Sequence, residues 1–435
     1  MMPVRVGLCG LGTVGRGTVR VLSRNADVLA QRGGVGIELV QIGARNAVPD
    51  ADTGAIPFTR DIFAVAANPE VDILVELIGG IEPARELVLT AIANGKQVVT
   101  ANKALIATCG NEIFAAARAR GVTVAYEASV AGGIPIIKAL REGLAANRIR
   151  WLAGIINGTS NFILSEMRDK GRQFADVLAE AQLLGYAEAD PSFDVEGIDA
   201  AHKLVILAAL AFDMPLRPDA VYIEGITAIQ PEDVVYAGEL GYRIKHLGVA
   251  RRNGSGIELR VHPTLVPERS LIAQVHGVMN AIMVKGDAVG ATLYCGPGAG
   301  AEPTASAVIA DILDIARRLD GGGRDATPAP GGADAAEPLD ILDIAAAESA
   351  HYLRVSALDR PGVLSQLAQI LSAHGISIEA IIQKEPSPGQ DHVPLIMLTN
   401  RTRESEVRAA IGAIERLESV SGPVVHLRKE ALDDA

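Results

Sequence analysis

Short apolar runs alternate with longer stretches of helical periodicity along the first third of the chain, with glycine, proline or asparagine between them. Val4 to Cys9 reads as a strand followed by a helix to about Ala30, and Ile37 to Gly43 and Val71 to Ile78 read as further strands. A helix over Pro83 to Asn94, a strand over Gln97 to Thr100, a helix over Asn111 to Arg120 and a strand over Val122 to Tyr126 continue the series. This alternation predicts an α/β fold, a parallel sheet with helices on both faces. Ligands of such sheets bind beyond the carboxyl ends of the strands.

Beyond a strand at Arg148 to Ile156 the rhythm changes. Helices over Phe162 to Lys170 and Phe174 to Gly185 lead to a helix that starts near Gly197 and runs through the apolar stretch Leu204 to Phe212. Strands at Arg243 to Ala250, Gly256 to Val266, Asn280 to Lys285 and Ala291 to Cys295 predict a second, α+β domain with a mixed or antiparallel sheet. A helix over Pro303 to Leu319 follows. Gly321 to Pro338 is too poor in large apolar groups to pack and reads as a linker. The remainder predicts a βαββαβ unit of about 80 residues, within the usual domain range. Its strands are His351 to Ala357, Ile376 to Ile382, His392 to Thr399 and one near Val424. Its helices are Val363 to His374, with Leu364, Leu367 and Leu371 on one face, and Ser405 to Leu417. The division expected is 1–135, completed by the helix 303–320; 136–320; a linker 321–349; and 350–430.

Composition narrows the classes. The 435 residues are 49% apolar, enough for two or three cored domains, and the net charge of -12 argues against nucleic-acid binding. The cysteines, Cys9, Cys109 and Cys295, have no disulfide or zinc spacing, which fits a reducing cytoplasm, and the histidines show no metal-site pattern. No apolar run reaches the ~18 residues of a membrane helix, and the N-terminus reads as a strand, not a leader.

Gly10-Leu11-Gly12-Thr13-Val14-Gly15 fits G-x-G-x-x-G between a strand and a helix, the context of a dinucleotide fingerprint. Gly10 allows the tight turn, Gly12 the approach of a pyrophosphate and Gly15 close packing of helix on sheet. Where an acid would bind the ribose of NAD, the second strand ends in Ala44-Arg45, and a guanidinium there suits the 2'-phosphate of NADP. Thr100-Ala101-Asn102-Lys103 and Glu127-Ala128-Ser129-Val130 fall at later strand ends. Lysine suits a helix start poorly unless an anion sits there, which makes Lys103 a candidate. Asn157-Gly158-Thr159-Ser160-Asn161 reads by itself as a turn and N-cap. The loop Gly296 to Gly300 reads as a strand-to-helix turn, with a return to the cofactor as the alternative.

Five acids, Glu188, Asp190, Asp194, Glu196 and Asp199, crowd the stretch that ends at Lys203. Asp199 and Lys203 are four apart and share a helix face, acid toward the N-terminus. A solvated pair of this kind contributes only about 0.3 to 0.5 kcal/mol. The same stripe, however, continues through Ile206, Leu207 and Leu210, so the pair is expected where a buried helix meets a cleft, a setting that shifts pKa values. Residue types alone leave a structural and a catalytic role both open.

Six motifs in order, GLGTVGRG (10–17), TANK (100–103), YEASVAGGIP (126–135), INGTSNFIL (156–164), EADPSFDVEGIDAAHK (188–203) and GAGAEPTASAV (298–308), together resemble homoserine dehydrogenase. The LDRPGVL element at 358–364 resembles an ACT regulatory domain. The resemblance implies a Rossmann-type NAD(P)-binding domain, a substrate-binding and dimerisation domain and a C-terminal ACT domain. It implies interconversion of L-aspartate 4-semialdehyde and L-homoserine with NADP, or NAD, on the route to threonine, isoleucine and methionine. Lys203 would then be the proton donor, Asp199 its orienting partner, and Lys103 a neighbour of nicotinamide and substrate. Glu188 would hold the substrate amino group, with Gly158, Thr159 and Asp194 in the same pocket. Gly10, Gly12, Thr13, Val14, Gly15, Ala44, Arg45 and Gly300 would contact the cofactor. Glu127 with backbone oxygens of Val130, Gly132 and Ile134 matches the family's monovalent-cation site, expected to hold sodium. Asp359, Pro361, Gly362, Val363 and Leu364 would form the effector site, with threonine the expected inhibitor. A homodimer or homotetramer, no nucleic acid and no membrane are implied.

Two rivals remain at this level. One is a semialdehyde dehydrogenase forming a thioester on Cys109, and the other an amino-acid-sensing protein without catalysis. The linker also leads to the expectation that residues beyond about Leu339 can be deleted with catalysis kept and threonine inhibition lost.

Overall fold

A computed structural model describes residues 3–46, 56–254, 256–320, 339–384 and 391–432, and the glycine-rich part of the expected linker lies outside them. The chain divides into two units. One comprises Met1–Leu152, Ala201–Val221 and Met279–Pro338; the other comprises Ala153–Ala200, Tyr222–Val278 and Leu339–Ala435.

The first unit contains the expected parallel sheet. Val4–Cys9 lies between Ile37–Gly43 and Ile73–Glu76, all parallel, and Phe58–Thr59, Gln97–Thr100 and Val124–Ala125 extend it on either side. Strand order therefore reverses beside Val4–Cys9, the position where dinucleotides bind in doubly wound sheets. The first helix is shorter than expected: Thr13–Arg24 stops at Asn25 and a separate helix, Ala26–Gly33, follows. Conversely, the helix expected from Asn111 begins at Lys103 and continues to Arg120, because the Asn102 side chain caps it by accepting from Leu105 N at 3.1 Å. The Ala301–Asp320 helix returns to this sheet. Its Ala307, Val308, Ile312, Ile315 and Ala316 join Val4, Val6, Ile73 and Val99 in one buried cluster, and Glu302 binds Arg24 at 3.0 and 2.9 Å. Met279–Gly286 and Gly290–Pro297 form an antiparallel hairpin in the same unit.

In the second unit Tyr242–Asn253 pairs antiparallel with Gly256–Pro267 over its whole length. The other edge of Gly256–Pro267 takes short parallel partners: Tyr222–Ile223, Asp340–Ile341 and the end of Val425–Lys429. Val425–Lys429, Glu348–Leu358, His392–Thr399 and Ile378–Gln383 then follow in order, each antiparallel to the next. With the helices Val363–Ala373 and Glu404–Ile414 these make the expected βαββαβ unit, and Leu353, Val355, Leu367, Leu371, Met397, Val407 and Ile414 form its core. Leu364 does not join that face. It is 39% exposed in the first turn of its helix, and Val363 is buried in its place.

The C-terminal strands are not a separable appendage. Tyr352, Ile396, Leu398 and Leu427 are buried in one cluster with Phe162, Met167, Val177, Ile226, Val234 and Ile244. Deletion beyond Leu339 would open that core and remove strand partners of Gly256–Pro267.

A helix missing from the sequence reading, Pro231–Glu239, carries a buried polar link in this unit. Asp233 is fully buried, accepts from Gln230 N to close a capping box, and receives Tyr352 Oη at 3.0 Å and Arg354 Nε and Nη2 at 2.6 and 3.0 Å. Removing one partner of a buried ion pair typically costs about 3 to 5 kcal/mol. Asp233→Ala is therefore expected to lower unfolding free energy by about 3 kcal/mol in urea titration; a loss within ~0.5 kcal/mol, as for a surface site, would contradict this.

Candidate active site

The glycine loop has the geometry its sequence requires. Gly10 adopts φ 107°, which favours glycine, and its N–H donates to Gly43 O at 2.8 Å, so the loop is tied to the end of the second strand. A Cβ at Gly15 would collide with the Gly10 carbonyl oxygen, whereas one at Gly12 would meet nothing within 4 Å. Gly12 and Thr13 are exposed, no side chain caps the Thr13–Arg24 helix, and its first turn holds no acid. These features fit an anionic pyrophosphate. Val14 is half-buried, Ala44 is buried directly after the strand and Arg45 is exposed beyond it. Ala301 touches Gly17, which brings Gly300, at φ 125°, alongside the same helix.

Next to this loop, buried Glu76 ends the central strand. Its carboxylate accepts from Ile78 N at 2.8 Å and Thr100 Oγ1 at 2.6 Å, and burial raises its pKa against these hydrogen bonds. Thr100 Oγ1 also accepts from Asn102 N, and Asn102 Nδ2 donates to Gly80 O at 2.6 Å. The network fixes the start of the Lys103–Arg120 helix, and Lys103, half-buried, is its first residue. Cys109 lies within that helix, and burial pushes its thiol above the ordinary range, the opposite of an activated nucleophile.

Glu127 is 3% exposed, and its carboxylate accepts from Ile137 N and Lys138 N, both at 2.8 Å. Its own N–H donates to Asp311 at 2.8 Å. Burial moves Glu127 up to about 6 and Asp311 up to about 8. Capping a helix start is thus a role for Glu127 that the sequence did not announce. Each carboxylate oxygen keeps a further lone pair. Val130 and Ile134 are buried, and Ala131 and Gly132 turn the backbone through positive φ of 54° and 41°. One carboxylate with backbone oxygens is a hard donor set that fits a main-group cation.

In the second unit the two motifs around Asn157 and Asp199 meet. Asn157 is 4% exposed and caps the Gly158–Lys170 helix by accepting from Ser160 N at 2.8 Å. Its amide nitrogen donates to Asp194 Oδ1 at 2.7 Å and Asp199 Oδ2 at 2.8 Å. Ser160 Oγ adds a bond to Asp194 O at 3.2 Å, and Thr159 Oγ1 donates to Tyr186 O at 2.6 Å. Asp199 is 1% exposed in the first turn of the Ile198–Phe212 helix, and Lys203, one turn later, is 8% exposed. Burial of both removes the solvated-pair reading. Of the five clustered acids, Asp194 and Asp199 are drawn inward by Asn157. Glu188, Asp190 and Glu196 are exposed, Asp190 holding Ser192 and Glu188 lending its backbone oxygen to Gln182. Asn157 was legible only as a cap; its second role depends on a long-range approach that spacing does not reveal.

The turn at Asp359, Pro361, Gly362, Val363 and Leu364 lines a cavity of about 310 Å³, together with Gln383, whose amide donates to Asp359 at 3.1 Å. His351, Glu404 and His426 form a group of metal-ligand types, but Arg428 and Arg408 already occupy the Glu404 carboxylate.

Comparison with known proteins gives a uniform result. A family profile described as "Homoserine dehydrogenase, NAD binding domain" matches residues 10–127, one described as "Homoserine dehydrogenase" matches 135–313, and "ACT domain" matches 351–419. The homoserine dehydrogenase of Pseudomonas aeruginosa is 64% identical over 437 residues, covering 100% of both chains. The crystal structure of a homoserine dehydrogenase from Thiobacillus denitrificans, 59% identical, superposes with a TM-score of 0.94 over 99% of each chain. A hyperthermophilic archaeal homoserine dehydrogenase in complex with NADPH, 26% identical, gives 0.62 over 72% of this chain and 98% of its own.

One buried group near the Asn157 helix generates a pH prediction. Asn161, one turn beyond Asn157, donates to Gly277 O at 2.9 Å and accepts from Lys245 Nζ at 3.1 Å. Lys245 is 1% exposed, and burial, then Arg168 and Arg243, push its ammonium down from 10.5 to about 7. Between these values the unfolded chain binds a proton that the folded chain does not, so this lysine makes stability rise with pH from about 7 to 10.5. Thermal unfolding of Lys245→Met is expected to lack that rise; wild-type and variant curves running parallel over this range would contradict the assignment.

Proposed function

The chain belongs to the homoserine dehydrogenase family, and from that premise we propose that it reduces L-aspartate 4-semialdehyde to L-homoserine reversibly, using NADP in preference to NAD. It is an oxidoreductase with an NAD-binding domain and an ACT domain. The observation that carries the reaction reading is the buried Asn157–Asp199 contact at the start of the helix that bears Lys203.

The nicotinamide, when bound, supplies the hydride. Gly10, Gly12, Thr13, Val14 and Gly15 would hold the pyrophosphate at the helix N-terminus, with Gly300 alongside. Ala44 and Arg45 follow the second strand, and the Arg45 guanidinium offers a fork of donors to a 2'-phosphate. Lys103, the first residue of its helix, would stand beside nicotinamide and substrate. Negative charge develops on the aldehyde oxygen as it is reduced. The Lys203 ammonium stabilises that oxygen and gives it a proton. Asp199, fixed by Asn157, orients Lys203 one helical turn away. Glu188 takes the substrate ammonium, and Gly158, Thr159 and Asp194 shape the rest of the pocket. Glu127 with the carbonyls of Val130, Gly132 and Ile134 would hold a monovalent cation, sodium by the family pattern.

In this reading the enzyme serves the formation of threonine, isoleucine and methionine, and threonine inhibits it through the Asp359–Leu364 turn. It works in the cytoplasm as a homodimer or homotetramer, with a cofactor-binding part over 1–135 completed by the helix 303–320, a substrate-binding part over 136–320 and an effector-binding part over 350–430. Among the described residues no helix is long and apolar enough to cross a membrane.

Lys203→Ala is expected to lower kcat by a factor on the order of 10² to 10⁴, the usual contribution of a proton donor, with NADP affinity nearly unchanged. Equal loss of both would indicate misfolding, and retained turnover would remove Lys203 from the mechanism. Asp359→Ala is expected to abolish threonine inhibition with kcat preserved; wild-type inhibition curves would place the effector elsewhere.

A further inference from the structure

The Glu348–Leu358 strand has a cavity at each end, separated by its length, on the order of 30 Å at about 3.3 Å per residue. The cavity at the Leu358 end is the effector pocket discussed above. The one at the Glu348 end measures about 250 Å³, and its wall includes Arg251, Glu348, Glu379, Arg401, Lys429 and Glu430. No step of the reaction uses these residues.

Three cations and three carboxylates give this wall a formal charge balance, so a ligand of one sign would leave it unbalanced in a partly enclosed space. Some of these charges are already engaged. Glu430, 3% exposed, holds Arg251 Nη2 at 2.9 Å and Arg260 at 2.6 Å, and Lys429 binds Glu379 at 3.0 Å. What remains is a set of donors and a set of acceptors. The Arg401 guanidinium reaches the Glu348 backbone oxygen at 3.4 Å, and the Glu348 carboxylate touches Arg403 at 3.4 Å, both long and exposed. Exposed Arg401 and Glu348 therefore keep hydrogen-bonding capacity that a partner from outside the chain can take up. A carboxylate is the strongest such partner for two guanidiniums.

We propose that this second cavity binds a free α-amino acid with an uncharged side chain, its carboxylate on Arg251 and Arg401 and its ammonium on Glu348 and Glu379. Both sites then take the same class of ligand, and the strand between them is a shared, rigid element of the sheet. The volume suits a ligand of a few heavy atoms, below the usual range of roughly 300 to 1,000 Å³ for larger ligands. The assignment does not depend on the reaction proposed above.

The test uses the full chain carrying Asp359→Ala, which alters the first cavity and leaves the second. Calorimetric titration with L-threonine, L-isoleucine and L-methionine is expected to show saturable binding of at least one. Adding R401Q and E348Q, both at exposed positions, is expected to weaken that binding at least tenfold with an unchanged Tm. Succinate and putrescine, each of one charge sign, are expected to bind at least tenfold more weakly than the amino acid. Absence of binding by all three amino acids, affinity unchanged by R401Q and E348Q, or succinate or putrescine binding as tightly would each overturn the proposal.

Discussion

A single buried amide, that of Asn157, sets the geometry on which the catalytic reading rests. Its oxygen accepts from Ser160 N and its nitrogen donates to two carboxylates, so the side chain has no slack for another arrangement. Carboxylates at 1% exposure, such as Asp199, are expensive to bury without donors, and loss of this one would leave a desolvated acceptor at a cost of about 1 to 3 kcal/mol or more. The same residue starts the Gly158–Lys170 helix, so capping and acid placement are one constraint. It also explains why the acids divide into an inner pair and an exposed remainder.

The second unit is held by charge as well as by its apolar core. Glu258, Arg260, His262 and Thr264 alternate along one face of the Gly256–Pro267 strand and are all buried. Arg260 binds Glu258 and Glu430, while Arg428 binds Glu404 and reaches Glu224 at 2.7 Å. Such pairs do little for net stability once desolvation is counted, but each is very costly to break on one side only. Because Arg428 and Glu430 belong to the last strand and its end, they fix its placement against Gly256–Pro267. The βαββαβ unit is thereby part of the same sheet as Tyr242–Asn253 and Gly256–Pro267.

The parallel sheet was legible because each strand of Val4–Cys9, Ile37–Gly43 and Gln97–Thr100 is a bounded apolar run, and the glycine loop lies between a strand and a helix. The Lys203 helix was legible from its apolar run, and burial of Asp199 agrees with the stripe through Ile206 and Leu207. The helix at Pro231–Glu239 was missed although its signal was present: proline at the first position and a Gln230/Asp233 capping box. The start of the Lys103 helix was obscured by Gly110, which is required by the close approach of Leu216 and has nothing to do with helix termination. Leu364 shows the limit of periodicity, since a residue in the first turn can satisfy the spacing and still face water. The Asn157 clamp and the Glu127 cap could not be read, because each joins residues from separate motifs through tertiary approach.

The most direct measurement of the central claim is the steady-state kinetics of Asn157→Ala with saturating NADPH. If the amide fixes Asp199, and through it the proton donor, kcat falls at least tenfold while the dissociation constant of NADPH stays at its wild-type value. A variant that folds with wild-type kcat would contradict the account, because the acid would then need no clamp to serve the lysine.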